Sequence, residues 1–330
     1  MQEKLVERAK ALLADGSVTR VIGWRRGDFG YDQGPGIFTT AAELERDFVY
    51  DDFCGANLSK FLVTRPNSLG KTLIFIKSCD SYSLNQLLRE HRVKREAVYV
   101  VAIPCAGKVD PERLFQGARP GGLAEVTRME SDGQTVRAET LYGEVSADFG
   151  SALAERCRTC KSKAHALYDE LIGDEGTVID AGRFDPVEKL EAMTSEERYE
   201  FWRGELSRCL RCNACRDACP ACTCERCVFD NEASGVANKA AADPFEENMF
   251  HIIRAYHVAG RCTDCGECSR VCPEHIPLHL LNRKMIKDIN QFYGDYQAGA
   301  DLEAPAPLNA FLKEDPEPAA ALSRAGRGEQ

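Results

Sequence analysis

Cys209-Leu210-Arg211-Cys212-Asn213-Ala214-Cys215-Arg216-Asp217-Ala218-Cys219-Pro220 and Cys262-Thr263-Asp264-Cys265-Gly266-Glu267-Cys268-Ser269-Arg270-Val271-Cys272-Pro273 repeat one pattern, C-x2-C-x2-C-x3-C-P, in a single chain. Three thiolates at this tight spacing can cap three irons of one cubane, and the proline after the fourth cysteine turns the chain toward a second cubane. The fourth ligand is therefore expected to cross over. One site should take Cys209, Cys212, Cys215 and Cys272, and the other Cys262, Cys265, Cys268 and Cys219. Zinc also accepts four thiolates, but zinc ribbons pair two C-x2-C knuckles and need neither the third cysteine nor the C-P ending.

Over roughly residues 200–290 these motifs resemble the two-cluster ferredoxins, and more narrowly the helical ferredoxin domains of heterodisulfide-reductase and succinate-dehydrogenase type iron-sulfur subunits. Forty-two residues separate Cys219 from Cys262. That is too many for the compact βαβ ferredoxin and enough for intervening helices. Phe250 to Cys262 is similar to the helix that leads into the second motif in such subunits, and Pro273-Glu274-His275-Ile276-Pro277-Leu278 to the segment that follows it.

The chain has 330 residues, 44% of them apolar and 28% charged, a globular composition long enough for about two domains. Forty-two Lys and Arg against 52 Asp and Glu leave a formal charge of −10, which argues against a protein that tracks nucleic-acid phosphates. Met1 to Ala14 is charged at Glu3, Lys4, Glu7, Arg8 and Lys10, without the apolar stretch of a signal peptide, and no 18-residue apolar run could span a bilayer. A cytoplasmic location is expected. There the sixteen cysteines stay reduced, and they read as ligands rather than disulfides.

Upstream, helix and strand alternate. Lys4 to Leu13 has helical spacing and stops at Asp15-Gly16; Val18 to Trp24, Thr72 to Ile76 and Ala97 to Ile103 read as strands, with a helix over Ser83 to His91. Strand, helix, strand implies a parallel βαβ unit, so the expectation is an α/β domain with a mainly parallel sheet over residues 1–180. A mostly helical dicluster domain should occupy 181–296, including a polar helix over Glu188 to Glu205, and a Pro/Ala/acidic tail 297–330. Cys79 and Cys105 fall at the carboxyl ends of strands, where open α/β sheets place their sites. With Cys157 and Cys160, a C-x2-C pair, they make a plausible third cubane site. Cys222, Cys224 and Cys227 form a compact group that either supplies three ligands of a further cluster, whose fourth must come from elsewhere, or consists of spare thiols among the ferredoxin ligands. Cys54 either completes a fourth cluster or is a small buried hydrophobe.

The upstream half carries a second resemblance. Lys77-Ser78-Cys79-Asp80-Ser81, Leu84 to Arg92, Val100-Val101-Ala102-Ile103-Pro104-Cys105 and Cys157-Arg158-Thr159-Cys160 resemble, over about residues 15–180, the coenzyme F420 hydrogenase/dehydrogenase β-subunit family, which includes formate dehydrogenase β subunits. The resemblance implies electron transfer between a hydride carrier and iron-sulfur clusters, with flavin- and iron-sulfur-containing subunits as partners. Flavin-binding members begin with a glycine-rich Gly-Gly-x-x-Thr-Ala-Leu turn, whereas Leu5 to Leu13 here contains no glycine, which puts FAD in doubt.

Other signals are discounted. Ser68-Leu69-Gly70-Lys71-Thr72 resembles the end of a P-loop, but Arg65 stands where Walker A needs glycine. Gly30, Gly34, Pro35 and Gly36 read as a turn. His251 and His257 are expected on a helix near the cysteine motifs, in packing or hydrogen-bonding roles rather than as ligands. The glycosylation sequon Asn57-Leu58-Ser59 is irrelevant in a cytoplasmic chain. No acid, base or nucleophile is set up for bond-making chemistry. The expected function is an iron-sulfur electron-transfer subunit of a multi-subunit oxidoreductase, with no membrane span. The alternative is a self-contained flavoprotein that oxidises reduced F420 or NAD(P)H and feeds its own ferredoxin domain.

Overall fold

The computed structural model describes residues 1–63, 70–115, 122–178, 182–231, 244–304 and 306–308. Arg65, Ser68 and Leu69 of the P-loop-like stretch, and the tail from residue 309 onward, lie outside the described residues. The chain divides into two compact units, Met1–Leu84 with Glu90–Arg183, and Asn85–Arg89 with Phe184–Gln330.

The first unit is built on strand β3 (Thr72–Ile76), all five residues of which are buried. A continuous apolar run of this kind suits a central strand covered on both faces. Around it lie β1 (Arg20–Arg26), β2 (Gln33–Phe38), β4 (Val98–Ala102) and the two-residue β8 (Glu170–Leu171), in the order β2-β1-β3-β4-β8. β1, β3, β4 and β8 run parallel, with Ile74 opposite Val100, whereas β2 is antiparallel to β1. The loop 27–32 is too short for a crossover, so β2 must fold back as a hairpin. Gly23 on β1 is required by close approach: a Cβ there would meet Phe48 at 2.6 Å. Helix α1 (Gln2–Ala14) buries Leu5, Ala9 and Leu12 at helical spacing, and α2 (Ala41–Asp47) is fixed by a Thr40–Glu43 capping box. Helix α3 (Ser78–Arg89) starts five residues earlier than the apolar periodicity suggests, which places Cys79 in its first turn.

The strand–helix alternation does not anticipate a second sheet, β5 (Val126–Ser131), β6 (Thr135–Thr140) and β7 (Gly143–Asp148), antiparallel throughout. Val136 and Ala138 of β6 are fully buried against Phe53, Val109, Leu114 and Met129, while the outer face is polar. The α/β region is mixed: its five-stranded sheet has a parallel centre and an antiparallel edge, and a separate antiparallel sheet accompanies the expected one. Two short helices, α4 (Phe149–Ala152) and α5 (Glu155–Arg158), follow.

The second unit shows helices and loops, and no strand, among the described residues. The polar helix expected over Glu188 to Glu205 is two helices, α6 (Asp185–Glu191) and α7 (Ser195–Leu206). Thr194 breaks the run: its hydroxyl accepts from Glu197 N at 3.2 Å and its own N–H donates to the Glu197 carboxylate at 2.8 Å, a capping box that starts a new helix. Then come α8 (Ala214–Asp217), α9 (Pro244–Val258), α10 (Glu267–Arg270) and α11 (Leu278–Tyr293). Leu206, Phe229, Phe250, Ile276 and Leu278 pack with Cys215 and Cys268 into one core, so both cysteine motifs lie against the hydrophobic centre of this unit.

Candidate metal centres

The two motifs fold alike. Each enters a loop with a left-handed residue two positions after its first cysteine, Arg211 (φ 50°) and Asp264 (φ 57°), and another two positions further, Asn213 (φ 63°) and Gly266 (φ 67°). A single turn of helix follows, α8 or α10, carrying the third cysteine. Left-handed backbone at non-glycine residues costs of order 1–3 kcal/mol each, and such strain concentrates at binding sites. Here it curls each loop around its thiols.

Cys209, Cys212, Cys215 and Cys272 line one cavity, together with Leu210, Arg211, Phe250, His251, Pro273 and Ile276. Three of these cysteines come from the first motif and one from the second. Burial pushes the Cys215 thiol up, with Cys272, Cys212 and Cys219 adding to the effect and Arg254 opposing it. Burial likewise pushes Cys209 up to about 12. On the other side, Cys262 is raised well above the ordinary range by burial, then by Asp264, Cys219 and Cys265. Cys268 is pushed up to about 12 by burial, opposed by Arg254 and reinforced by Cys219, Cys265 and Cys215. Cys219 thus acts on thiols of both motifs, on Cys215 of the first and on Cys262 and Cys268 of the second. As free thiols these groups resist ionisation; clustered, buried sulfur donors of this kind fit iron, whose charge stabilises the thiolates.

Each loop is tied to a helix by a buried ion pair, with the polarity reversed between them. Arg211 meets Glu247 of α9 at 3.5 Å and lies over the Phe250 ring at 3.9 Å; Asp264 meets Arg283 of α11 at 3.1 Å. Helix α9 presents Glu247, His251 and Arg254, all buried, on one face. His251 Nε2 is 3.2 Å from Cys209 Sγ, and Cys209, Glu247 and His251 bring one ligand atom each within 4.8 Å of one another. Burial, then Arg254 and Arg211, hold the His251 pKa down to about 3. Arg254 donates to the Cys215 carbonyl at 2.8 Å. Burial opposes its charge, yet the surrounding Cys215, Cys219, Cys268 and Cys222 hold its pKa above the ordinary value. The sequence reading placed His251 near the motifs but missed Glu247 and Arg254. Their signal is polar residues at i, i+4 and i+7 on a stripe shared with Phe250 and Val258.

Cys222, Cys224 and Cys227 face different surroundings. Cys222 hydrogen-bonds the Cys219 thiol, which raises the Cys219 pKa further; Cys224 is exposed; Cys227 packs against the core beside Phe229.

In the first unit, Cys79 opens α3 just past β3, Cys105 follows β4, Cys157 lies on α5 and Cys160 lies just beyond it. Burial raises the Cys79 thiol well above the ordinary range, with Asp80 and Cys105 adding to it and Lys77 and Arg156 opposing. Cys157 Sγ accepts from Lys108 N at 3.4 Å. The Ser162 carbonyl accepts from both Cys160 Sγ and Ser78 Oγ at 3.2 Å, which brings Cys160 beside the start of α3. Cations surround the site. Lys77 is paired with Asp80 at 2.8 Å with both side chains 1% exposed, Lys108 donates to Asp51 O at 2.7 Å, and Arg156 to Gly55 O at 2.6 Å. The sequence reading did not single out these cations. Cys54 is fully buried and engaged in its own turn, accepting from Asp51 N at 3.3 Å and contacting Val49 O at 3.6 Å. No described helix is long and apolar enough to cross a membrane.

A family profile described as a 4Fe-4S dicluster domain matches residues 205–276, which takes in both motifs. Over 91% of its length the chain is 24% identical to the F420-dependent formate dehydrogenase subunit beta of Methanocaldococcus jannaschii, covering 92% of that protein. It is also 24% identical to the F420-dependent formate dehydrogenase 1 subunit beta of Methanococcus maripaludis, with 91% of each chain covered. Among solved structures, a chain of the xenon-derivatised F420-reducing [NiFe] hydrogenase complex from Methanosarcina barkeri aligns with 57% of this chain and 74% of its own, at 13% identity and a TM-score of 0.37. The resemblances read from the residues are borne out: the chain carries a 4Fe-4S dicluster domain, and over nearly its whole length it is similar to F420-dependent formate dehydrogenase beta subunits.

Proposed function

We propose that this chain is the iron-sulfur electron-transfer subunit of a cytoplasmic, multi-subunit oxidoreductase, relaying single electrons between a flavin- or hydride-handling subunit and a catalytic one. When bound, 4Fe-4S clusters supply the one-electron couples for this role. The observation that carries the reading is the cavity lined by Cys209, Cys212, Cys215 and Cys272, cysteines drawn from both motifs. It supports the crossed ligand sets: these four for one site, and Cys262, Cys265, Cys268 and Cys219 for the other. Cys79, Cys105, Cys157 and Cys160 are the proposed ligands of a third. Cys222, Cys224 and Cys227 remain candidates for a fourth, completed by a ligand from elsewhere in the complex.

The residues around the sulfurs do the protein's share. Arg211, Phe250 and Ile276 wall the first site, the Arg211–Glu247 and Asp264–Arg283 pairs hold the two loops in shape, and Lys77, Lys108 and Arg156 offset thiolate charge at the third. The test is genetic and spectroscopic. In anaerobically reconstituted protein, Cys272→Ser should remove the same EPR signal as Cys209→Ser, and Cys219→Ser the same signal as Cys262→Ser. Uncrossed pairing, in which Cys272→Ser and Cys262→Ser act on one signal, refutes the ligand sets.

A second reading has one observation in its favour, the similarity over 91% of the chain to subunits named for their F420 dependence. On that reading the chain itself oxidises the deazaflavin. Flavin content decides: stoichiometric FAD in the purified chain, with dye reduction by reduced F420, selects the self-contained flavoprotein over the conduit.

A further inference from the structure

We infer that the cavity at the open end of the β1–β2 hairpin binds a small organic cation, one whose ammonium or amidinium group donates N–H hydrogens to Gln33 and Asp51. No cysteine lines this cavity, so the inference is independent of the ligand sets proposed above.

The cavity follows from the hairpin. Arg26 and Gln33 are its last paired residues, and directly opposed residues of an antiparallel ladder point to one face. The loop 27–32 then turns back sharply: a Cβ on Gly27 would meet Asp32 O at 1.8 Å, so only glycine fits. Between this loop and Val49 and Asp51, which follow α2, lies a space of about 400 Å³, the size of a small-molecule site. Gln33, 7% exposed, lines its inner side, and the exposed Arg26 its mouth.

The Gln33 amide is fixed in one orientation. Nε2 donates to Gly30 O at 3.0 Å and to Asp51 Oδ2 at 3.1 Å, which uses both of its hydrogens. Turning the amide over would set its carbonyl against two acceptors. The carbonyl oxygen Oε1 is left buried, with no hydrogen-bond partner among the described residues. Beside it Asp51 is held in place, Phe53 N donating to Oδ1 at 2.9 Å and Lys108 Nζ to the Asp51 carbonyl at 2.7 Å. Both side chains offer acceptors to the cavity, and a buried acceptor calls for a donor.

The charge of the lining selects that donor. Asp28 and Asp51 against Arg26 leave it one formal charge negative. A carboxylate or phosphate would meet acceptors at the buried end, whereas an ammonium or amidinium gives Gln33 Oε1 a charge-assisted hydrogen bond. Phe29 adds an aromatic surface, 54% exposed and backed by Tyr31, which stacks on it at 5.6 Å between centroids. Aromatic faces attract cations.

The test is isothermal titration calorimetry of the full chain with two probes of one shape. Benzamidine, a planar cation with N–H donors, should bind saturably and one-to-one; benzoate, with acceptors only, should not bind. Gln33→Met keeps the volume, removes the acceptor and should weaken benzamidine about tenfold or more. Absence of saturable benzamidine binding, which would leave Oε1 to a water molecule, overturns the inference. Benzoate binding of equal affinity, or benzamidine binding that Gln33→Met leaves unchanged, overturns it too. Where Gln33→Met does not fold, two exposed positions decide: Arg26→Gln should tighten benzamidine and Asp28→Asn weaken it, and responses in the same direction refute the site.

Discussion

Arg254 shows what a single residue does at these sites. A guanidinium that is 5% exposed ordinarily pairs with a carboxylate, but this one donates to the Cys215 carbonyl, its Nε has no hydrogen-bond partner among the described residues, and thiols of both motifs surround it. Its positive charge is stabilised by sulfur, and in turn it favours extra negative charge on either side. Arg254→Met keeps most of the volume and removes the charge, so both ferredoxin-type potentials should fall together, by a shift comparable to that of a lost charge-assisted hydrogen bond, ~1.5–3 kcal/mol. A redox titration in which only one transition moves would contradict this placement. Cys54 makes the opposite case. Fully buried and bonded within its own turn, it has the surroundings of a small hydrophobe, and burial pushes its thiol far above the ordinary range. Cys54→Ala should therefore leave iron content unchanged and cost about 1–2 kcal/mol in denaturant stability.

At the scale of elements, the helices around the motifs are pinned by charge as well as by packing. Glu191 at the end of α6 reaches Lys284 at 2.7 Å and Lys287 at 2.5 Å on α11. Burial alone would raise the Glu191 pKa, but hydrogen bonds from the two lysines outweigh it and hold it below 4.5. A depressed carboxylate contributes stability that is present above its unfolded pKa and lost as pH falls through the folded one. The α6–α11 tie should thus hold at neutral pH and weaken below about pH 4.5. All three side chains are partly exposed, so Glu191→Gln should cost no more than about 1 kcal/mol, and in acid-unfolding curves the difference from the unaltered protein should shrink below that pH and vanish once the pH falls below the lowered folded pKa. These elements also show how far the sequence could be read. The five buried residues of β3 and the apolar spacing of α1 match the observed bounds closely, because each is dominated by one buried face. The sheet β5–β7 escaped notice because its strands alternate around few apolar residues, with Val136 and Ala138 alone carrying the buried face of β6. The split between α6 and α7 turned on Thr194 and Glu197, a local signal that the general polarity of the segment hid. Cys209, Cys212, Cys215 and Cys272, which the spacing grouped, line one cavity, whereas the cations and His251 around them come from distant segments that spacing cannot connect.

For the whole molecule, the informative quantity is where the positive charge goes. The chain is acidic overall, with 42 Lys and Arg against 52 Asp and Glu, yet the buried cations Lys77, Lys108, Arg211, Arg254 and Arg283 gather at the cysteine loops. Among the described residues Lys77, Arg211 and Arg283 have carboxylate partners, while the hydrogen bonds described for Lys108 and Arg254 run to backbone carbonyls. Burying unpaired charge costs several kcal/mol, so such cations need a negative group nearby, and a cubane held by four thiolates supplies one. Metal and fold are then linked: removing iron leaves raised thiols and, at Arg254, a buried cation without its negative counterpart in the second unit. Apo-protein prepared by anaerobic chelation should melt well below the loaded chain, and a chain whose melting is indifferent to iron would contradict the linkage. The same reasoning fixes the expected stoichiometry. The proposed ligand sets place two groups of four cysteines in the second unit and one beside the cations of the first, whereas Cys222, Cys224 and Cys227 face a neighbouring thiol, solvent and the core respectively. Iron and acid-labile sulfide analysis of the isolated chain should therefore approach about twelve of each, falling to about eight in a Cys157→Ser/Cys160→Ser double variant with both ferredoxin-type EPR signals retained. About sixteen irons would mean that the Cys222 group finds its fourth ligand within this chain, and an unchanged spectrum in the double variant would remove the third site from the first unit.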